Sequence, residues 1–259
     1  MIARWQVLGC AALMALAPVP VAAQSVSPAL SAVQQMIEAD KAAEAEKLAR
    51  AMLEAAEKRE GAKSLAAADA RLPLAVALFA LGRGAEAVTL LGEQVALTEA
   101  AAGRDSAKAI EAREAHFAAM VSLASQYERA GNLIEAEPLL EAVVAGYSQG
   151  RPGGDRDLLN LRGRLASNIK DQGRPTEAEP IMSRTLELLE EHLGPDDIDT
   201  LSGMNNMGRI LEAQFRQEDA FSYYKRAHEL GAARYGPDNP DVLVFGHGLS
   251  SLTGCRWLR

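Results

Sequence analysis

The chain has 259 residues, with 27 Lys+Arg against 35 Asp+Glu and a formal net charge of −8. Apolar residues make up 48% and charged residues 24%, a globular balance that excludes a disordered tail. The acidic excess lacks the basic footprint that a nucleic-acid binder needs to displace counterions. Alanine, the best helix former, occurs 49 times while aromatics are only 5%. This excludes a β-sandwich or barrel and predicts an all-α protein.

The first element in chain order is a targeting segment. Arg4 is the single charge before Gln24, Val7 to Ala17 is apolar, and Pro18, Pro20 and Val21-Ala22-Ala23 follow. A positive start, a short apolar run and a small-residue site predict a cleaved secretory signal peptide over residues 1–23, and hence a periplasmic or secreted protein. The apolar run is far shorter than the roughly 20 residues of a spanning helix, and no later stretch is apolar enough for stable membrane insertion. Only five residues separate Arg4 from Cys10, too few for a lipoprotein signal. Cys255 is then the one cysteine left, so the mature monomer forms no internal disulfide.

Residues 24–259 are organised by an internal repeat. Acidic-alanine pairs recur at Glu44-Ala45, Glu86-Ala87, Glu135-Ala136, Glu177-Ala178 and Asp219-Ala220, with alanine spacings of 42, 49, 42 and 42. An apolar pair three to four residues later shares the alanine's helix face. Five residues before the alanines stand Asp40, Gly82, Gly131, Gly173 and Phe215. Glycine there suits a tight turn between two helices, and Phe215 predicts a different last turn. Nineteen residues after the alanines come Ser64, Ser106, Asp155, Asp197 and Asn239, all good N-caps. The acids Asp196, Asp197 and Asp199 therefore read as capping residues rather than as a metal loop. Each unit is a helix A, a tight turn, a helix B and a capped turn. The predicted pairs are 28–39 with 41–58, 64–81 with 84–101, 106–130 with 133–149, 155–172 with 175–192, and 197–214 with 217–233. A further helix A starts near Pro240 and runs out near Leu252. Cap-to-alanine distance is 23 residues in three units and 30 from Ser106 to Ala136. The third helix A is therefore predicted to be unbroken and about two turns longer, with its facing preserved.

Four stretches are similar to the tetratricopeptide repeat in its 42-residue, kinesin-light-chain-like form: Gln172-Gly173-Arg174-Pro175-Thr176-Glu177-Ala178-Glu179-Pro180, Leu193-Gly194-Pro195-Asp196, Met204-Asn205-Asn206-Met207-Gly208, and Tyr235-Gly236-Pro237-Asp238-Asn239-Pro240-Asp241. The resemblance is strongest over residues 114–245. It implies a right-handed α-solenoid of about five helix-turn-helix repeats plus a C-terminal helix, with a concave groove lined by A helices that holds another polypeptide. Arg162 stands where helix A of such a repeat has a large apolar residue, so that layer is loosened or the arginine reaches out to solvent. Pro138 and Pro180 lie early in B helices and predict a late start or a kink. Gly246-His247-Gly248 is poor helix material, and no helix B follows it.

Candidate chemistry is sparse. His116, His192, His228 and His247 have no metal-ligand spacing, and there is no nucleophile elbow or phosphate loop. The expectation is a non-catalytic scaffold with no cofactor and no metal, or else the repeat region of a longer protein whose effector domain, for example caspase-like, is absent. In the fifth unit Leu201, Met204, Met207, Gly208 and Leu211 form the predicted buried stripe. The opposite face carries Ser202, Asn205, Asn206, Arg209 and Glu212. The fourth unit supplies Asn160, Arg164, Ser167 and Lys170. Asparagine is a poor helix residue whose amide both donates and accepts. These nine residues are therefore the candidate partner-binding face for a protein or peptide, with simple solvation or ladders between repeats as the alternative.

Overall fold

The computed structural model describes residues 28–254. The predicted signal segment and Cys255 lie outside the described residues. The described chain is α-helical, with no strand. Its helices are α1 (Pro28–Glu38), α2 (Ala42–Glu60), α3 (Leu65–Asp69), α4 (Arg71–Ala80), α5 (Gly84–Ala102), α6 (Ala107–Arg129), α7 (Leu133–Gly150), α8 (Arg156–Asp171), α9 (Pro175–Leu193), α10 (Ile198–Ala213), α11 (Gln217–Tyr235) and α12 (Pro240–Gly254). They fall into two compact units, Met1–Gln126 and Tyr127–Arg259.

In the first unit α1 packs on α2 and α4, and α5 packs on α3 and α4. Val33, Ile37, Ala45, Leu74, Leu78, Ala87 and Leu91 fill the core. In the second unit each helix packs on the next from α7 to α12. The A helices α8, α10 and α12 also touch their A neighbours. The five repeat alanines, Ala45, Ala87, Ala136, Ala178 and Ala220, are all completely buried. A methyl group at the A–B crossing lets the two backbones approach, so any larger side chain there would push them apart.

Every predicted N-cap is formed. Ser64 accepts from the Ala67 amide, Ser106 from Ala109, Asp155 from Leu158, Asp197 from Asp199, and Asn239 from Asp241. The long third helix A is continuous from Ala107 to Arg129. Arg162 reaches the Ser148 hydroxyl at 3.1 Å, which is the snorkelling alternative.

Three expectations are corrected. The turn at Phe215 does not differ: Asp40 and Phe215 take φ of 60° and 62°, beside 76–80° for Gly82, Gly131 and Gly173. Helix A of the second unit is not continuous over 64–81 but divides at Ala70 into α3 and α4. The cause is Pro73, whose ring clashes with the carbonyl four residues earlier, that of Asp69. Helices α7 and α9 start at Leu133 and Pro175, with Pro138 and Pro180 inside them, so neither starts late. The further helix A expected from near Pro240 to near Leu252 is formed as α12, with Gly246 and Gly248 inside it. A Cβ on Gly248 would lie 2.7 Å from the Tyr224 ring, and one on Gly208 would lie 2.5 Å from it. These two glycines are what let α10 and α12 close over a fully buried tyrosine.

Candidate partner-binding groove

The A helices α8 and α10 lie side by side over α9, and the 42-residue register pairs their positions. Asn160 aligns with Ser202, Arg164 with Asn206, Ser167 with Arg209, and Lys170 with Glu212. The predicted stripe of Leu201, Met204, Met207, Gly208 and Leu211 is buried, and Thr200, Gly203 and Ile210 join it.

The nine candidate residues divide into three sets. Asn160, Arg164, Ser167, Ser202 and Asn206 converge on one cavity of about 290 Å³, floored by Leu159, Gly163, Met182 and Leu189 and bordered by Thr185, Asp199 and Gly203. Asn205 and Arg209 stand on the same helix outside it. Lys170 and Glu212 are structural. The Lys170 side chain is only 9% exposed, with Nζ 2.5 Å from Asp171, so the expectation of an open cationic site there is corrected. Its aliphatic stem is covered and only its tip finds a partner. Glu212 accepts a hydrogen bond from the Tyr224 hydroxyl at 2.9 Å. Burial, followed by the hydrogen bond and the charge of Glu212, pushes the Tyr224 phenol well above its ordinary range.

The charged members of the rim are already paired within the protein, with Arg156 shared between Asp197 and Asp199. Arg164 holds Glu128 through Nη2 at 2.6 Å and Nε at 3.0 Å. Asp199 takes Arg156 at 2.5 Å and the Asn160 amide at 3.4 Å. By contrast, Ser167, Ser202, Asn205 and Asn206 make no side-chain hydrogen bond within the described protein, and Arg209, exposed, has no ion-pair partner there. The result is a face of uncommitted hydroxyls and amides, with the exposed Arg209 a turn beyond Asn205.

Gly163 stands apart from the other helical glycines at these crossings. A Cβ at Gly203 would come within 3.0 Å of the Leu189 Cδ1 methyl, which would have to give way. A Cβ at Gly163 would meet nothing closer than the Met182 methyl at 3.8 Å. Glycine in mid-helix costs about 0.5–1 kcal/mol relative to alanine, and the packing around Gly163 does not demand it.

Sequence reasoning missed a polar network behind this face. Asn168, almost fully buried, reaches Glu128 and accepts from Gln172, which also donates to Glu137. Gln214 repeats this 42 residues later, donating to Glu179 and to the Pro175 carbonyl. The recurrence of glutamine at that interval was the available signal. Among the described residues no group of three His, Cys, Asp or Glu side chains is placed to hold a metal ion.

Known proteins bear on this geometry. Family profiles of the tetratricopeptide repeat match residues 68–107 and 157–233. The chain therefore carries tetratricopeptide repeats, and its structural neighbours include kinesin-light-chain-like repeat proteins. One is the Podosopora anserina kinesin light chain of nearly identical TPR-like repeats, at 20% identity and a TM-score of 0.56, over 79% of this chain and 94% of that one. Another is BtubC (BKLC) of P. vanneervenii, at 17% identity and a TM-score of 0.57, over 86% of this chain and 84% of that one. These likenesses establish the fold. No curated protein matches the chain.

Proposed function

We propose that the protein is an exported, non-catalytic scaffold that holds an extended stretch of a partner polypeptide across the face of α8 and α10. The repeat fold itself suggests a protein–protein interaction scaffold. The observation that carries the finer reading is the set of uncommitted hydrogen-bonding groups, Ser167, Ser202, Asn205 and Asn206, gathered on one surface. A peptide backbone alternates donors and acceptors, and an asparagine amide satisfies both. Arg209 can hold an acidic side chain of the same partner.

The test is a split outcome for Asn205→Ala/Arg209→Ala. Both residues are at the surface, so the melting curve should stay within about 0.5 kcal/mol of the parent. Loss of centrally placed contacts should weaken capture of a crosslinked partner by more than about 1 kcal/mol. Unchanged capture there, with loss on charge reversal of Arg184 and Glu187 on α9, would place the binding face on the opposite side. Export is tested separately. Mass spectrometry of secreted material should find an N-terminus at or within a residue or two of Gln24, and a membrane-bound form retaining Met1 would refute it.

A further inference from the structure

We infer that the edge of the second unit formed by its A–B turns is a self-association surface, on which a second copy of this chain docks antiparallel about a two-fold axis through the middle turn. No residue of the groove takes part. The helices from α7 to α11 stack in order, so their 42-residue repeat puts the A–B turns on one edge. Three positions recur there, seven, five and two residues before the repeat alanine. They are the last residue of helix A, the left-handed turn residue and the second residue of helix B. The first turn carries Arg129, Gly131 and Ile134, the middle one Asp171, Gly173 and Thr176, and the last one Ala213, Phe215 and Glu218. All nine are exposed. Ile134 at 73% and Phe215 at 83% are the most exposed large apolar side chains among the described residues, and they sit on opposite end turns. Arg129 and Glu218, also on opposite end turns, have no side-chain partner among the described residues. A two-fold axis reverses both directions of the edge, exchanging its ends and exchanging the helix A side with the helix B side. Arg129 then meets Glu218 of the second copy, and Ile134 meets Ala213 and Phe215 of the second copy. In the middle the Asp171 carboxylate can accept from the Thr176 hydroxyl of the second copy. Each contact occurs twice, as an isologous interface requires. Phe215 is the anchor. Its left-handed backbone is costly for a bulky residue, and such strain collects at binding sites. The turn that presents it is already rigid, because Gln214 holds the Pro175 carbonyl and Glu179, and Arg216 holds Glu179 and Asp219. Docking therefore orders little that is mobile. Three turns make a contact narrower than a standard stable interface, so the dimer is weak and sensitive to salt.

The experiment is sedimentation equilibrium of the full chain from micromolar to millimolar concentration, at low and high salt, in reductant so that Cys255 forms no crosslink. The expected result is a monomer–dimer equilibrium that weakens as salt is added. Arg129→Glu and Glu218→Arg should each weaken it at least tenfold, and the double variant Arg129→Glu/Glu218→Arg should return it to within threefold of the parent. Phe215→Gly should weaken it at least tenfold while melting no lower than the parent at micromolar concentration, which separates loss of docking from loss of fold. Ile134→Ser should act in the same direction. Asn205→Ala/Arg209→Ala should leave the equilibrium unchanged, because the groove is a different surface. A parent chain that stays monomeric at millimolar concentration would overturn the inference and leave the scaffold function standing. Single charge variants that weaken the dimer without recovery in the double variant would overturn the two-fold pairing. A dimer that survives Phe215→Gly and both charge variants but is lost in Leu243→Ser/Val244→Ser would move the contact to the exposed apolar pair of α12 and overturn the turn edge.

Discussion

Single residues here show where the repeat pattern bends to local chemistry. Phe215 takes the left-handed backbone that Gly82, Gly131 and Gly173 take at the equivalent turns. Its side chain is 83% exposed, so nothing from packing offsets the steric cost of that conformation. Phe215→Gly should therefore raise stability by about 1 kcal/mol, and Gly173→Phe should lower it, both read from thermal melts. Thr200 is the opposite case, a polar atom in an apolar layer. It is fully buried, and its hydroxyl finds no hydrogen-bond partner among the described residues. Leu158 and Val242 occupy the same register 42 residues to either side. Thr200→Val keeps the shape and removes the unsatisfied group, so stability should rise by about 1 kcal/mol. An unchanged melting temperature would mean that the hydroxyl is satisfied in solution.

At the level of helices, consecutive units are tied by a recurring ion-pair rung. Arg83, Arg174 and Arg216, each just after a left-handed turn, reach back to Glu46, Glu137 and Glu179 of the preceding B helix at 2.7–2.8 Å. Each also holds an acid three residues ahead, Glu86, Glu177 or Asp219. These acids precede the repeat alanines, so they serve both the positive end of helix B and the arginine. Hydrogen bonds from Gln214 and Arg216 hold the Glu179 carboxyl below its usual 4.5. For Glu46, burial works in the opposite direction but is outweighed by Arg50 and Arg83. A depressed carboxylate contributes stability that is present above the unfolded value and lost as pH falls through the folded value. Melting temperature should thus begin to fall as pH drops past about 4.5, and Glu179→Gln should flatten part of that fall. The rungs are partly exposed, so each contributes little at neutral pH. The A–B crossing matters more. Ala178→Leu overpacks a fully buried contact and should cost roughly 1–3 kcal/mol. A wild-type melting curve would show that the crossing yields.

For the molecule as a whole, stacking is a physical requirement, because one helix pair cannot bury both its apolar faces alone. Circular dichroism should give a helix-dominated spectrum, and an appreciable strand contribution would contradict the fold. The same stacking assembles the candidate groove. Asn160 and Asn206 lie 46 residues apart in the chain, yet both line one cavity because α8 and α10 are neighbours.

The repeat was legible in the sequence because its determinants are local. A cap needs only its own oxygen and an amide two or three residues on, a crossing alanine needs only to be small, and the 23-versus-30 spacing was enough to reveal the long α6. Single residues misled where a local rule met a distant neighbour. Gly246 and Gly248 read as poor helix material, but Gly248 admits the ring of Tyr224, 24 residues away. Pro73 was the exception in the other direction, a local signal that was present and decided the break at Ala70. The candidate face was legible as a set of polar positions. Which of them are free was decided by tertiary structure for Arg164 and Glu212, which look available until Glu128 and Tyr224 are placed beside them, whereas Asp171, the partner of Lys170, is its neighbour in the chain. Spacing along a helix determines which way a side chain faces. Whether its charge is already spent depends on groups that only folding brings within hydrogen-bond reach.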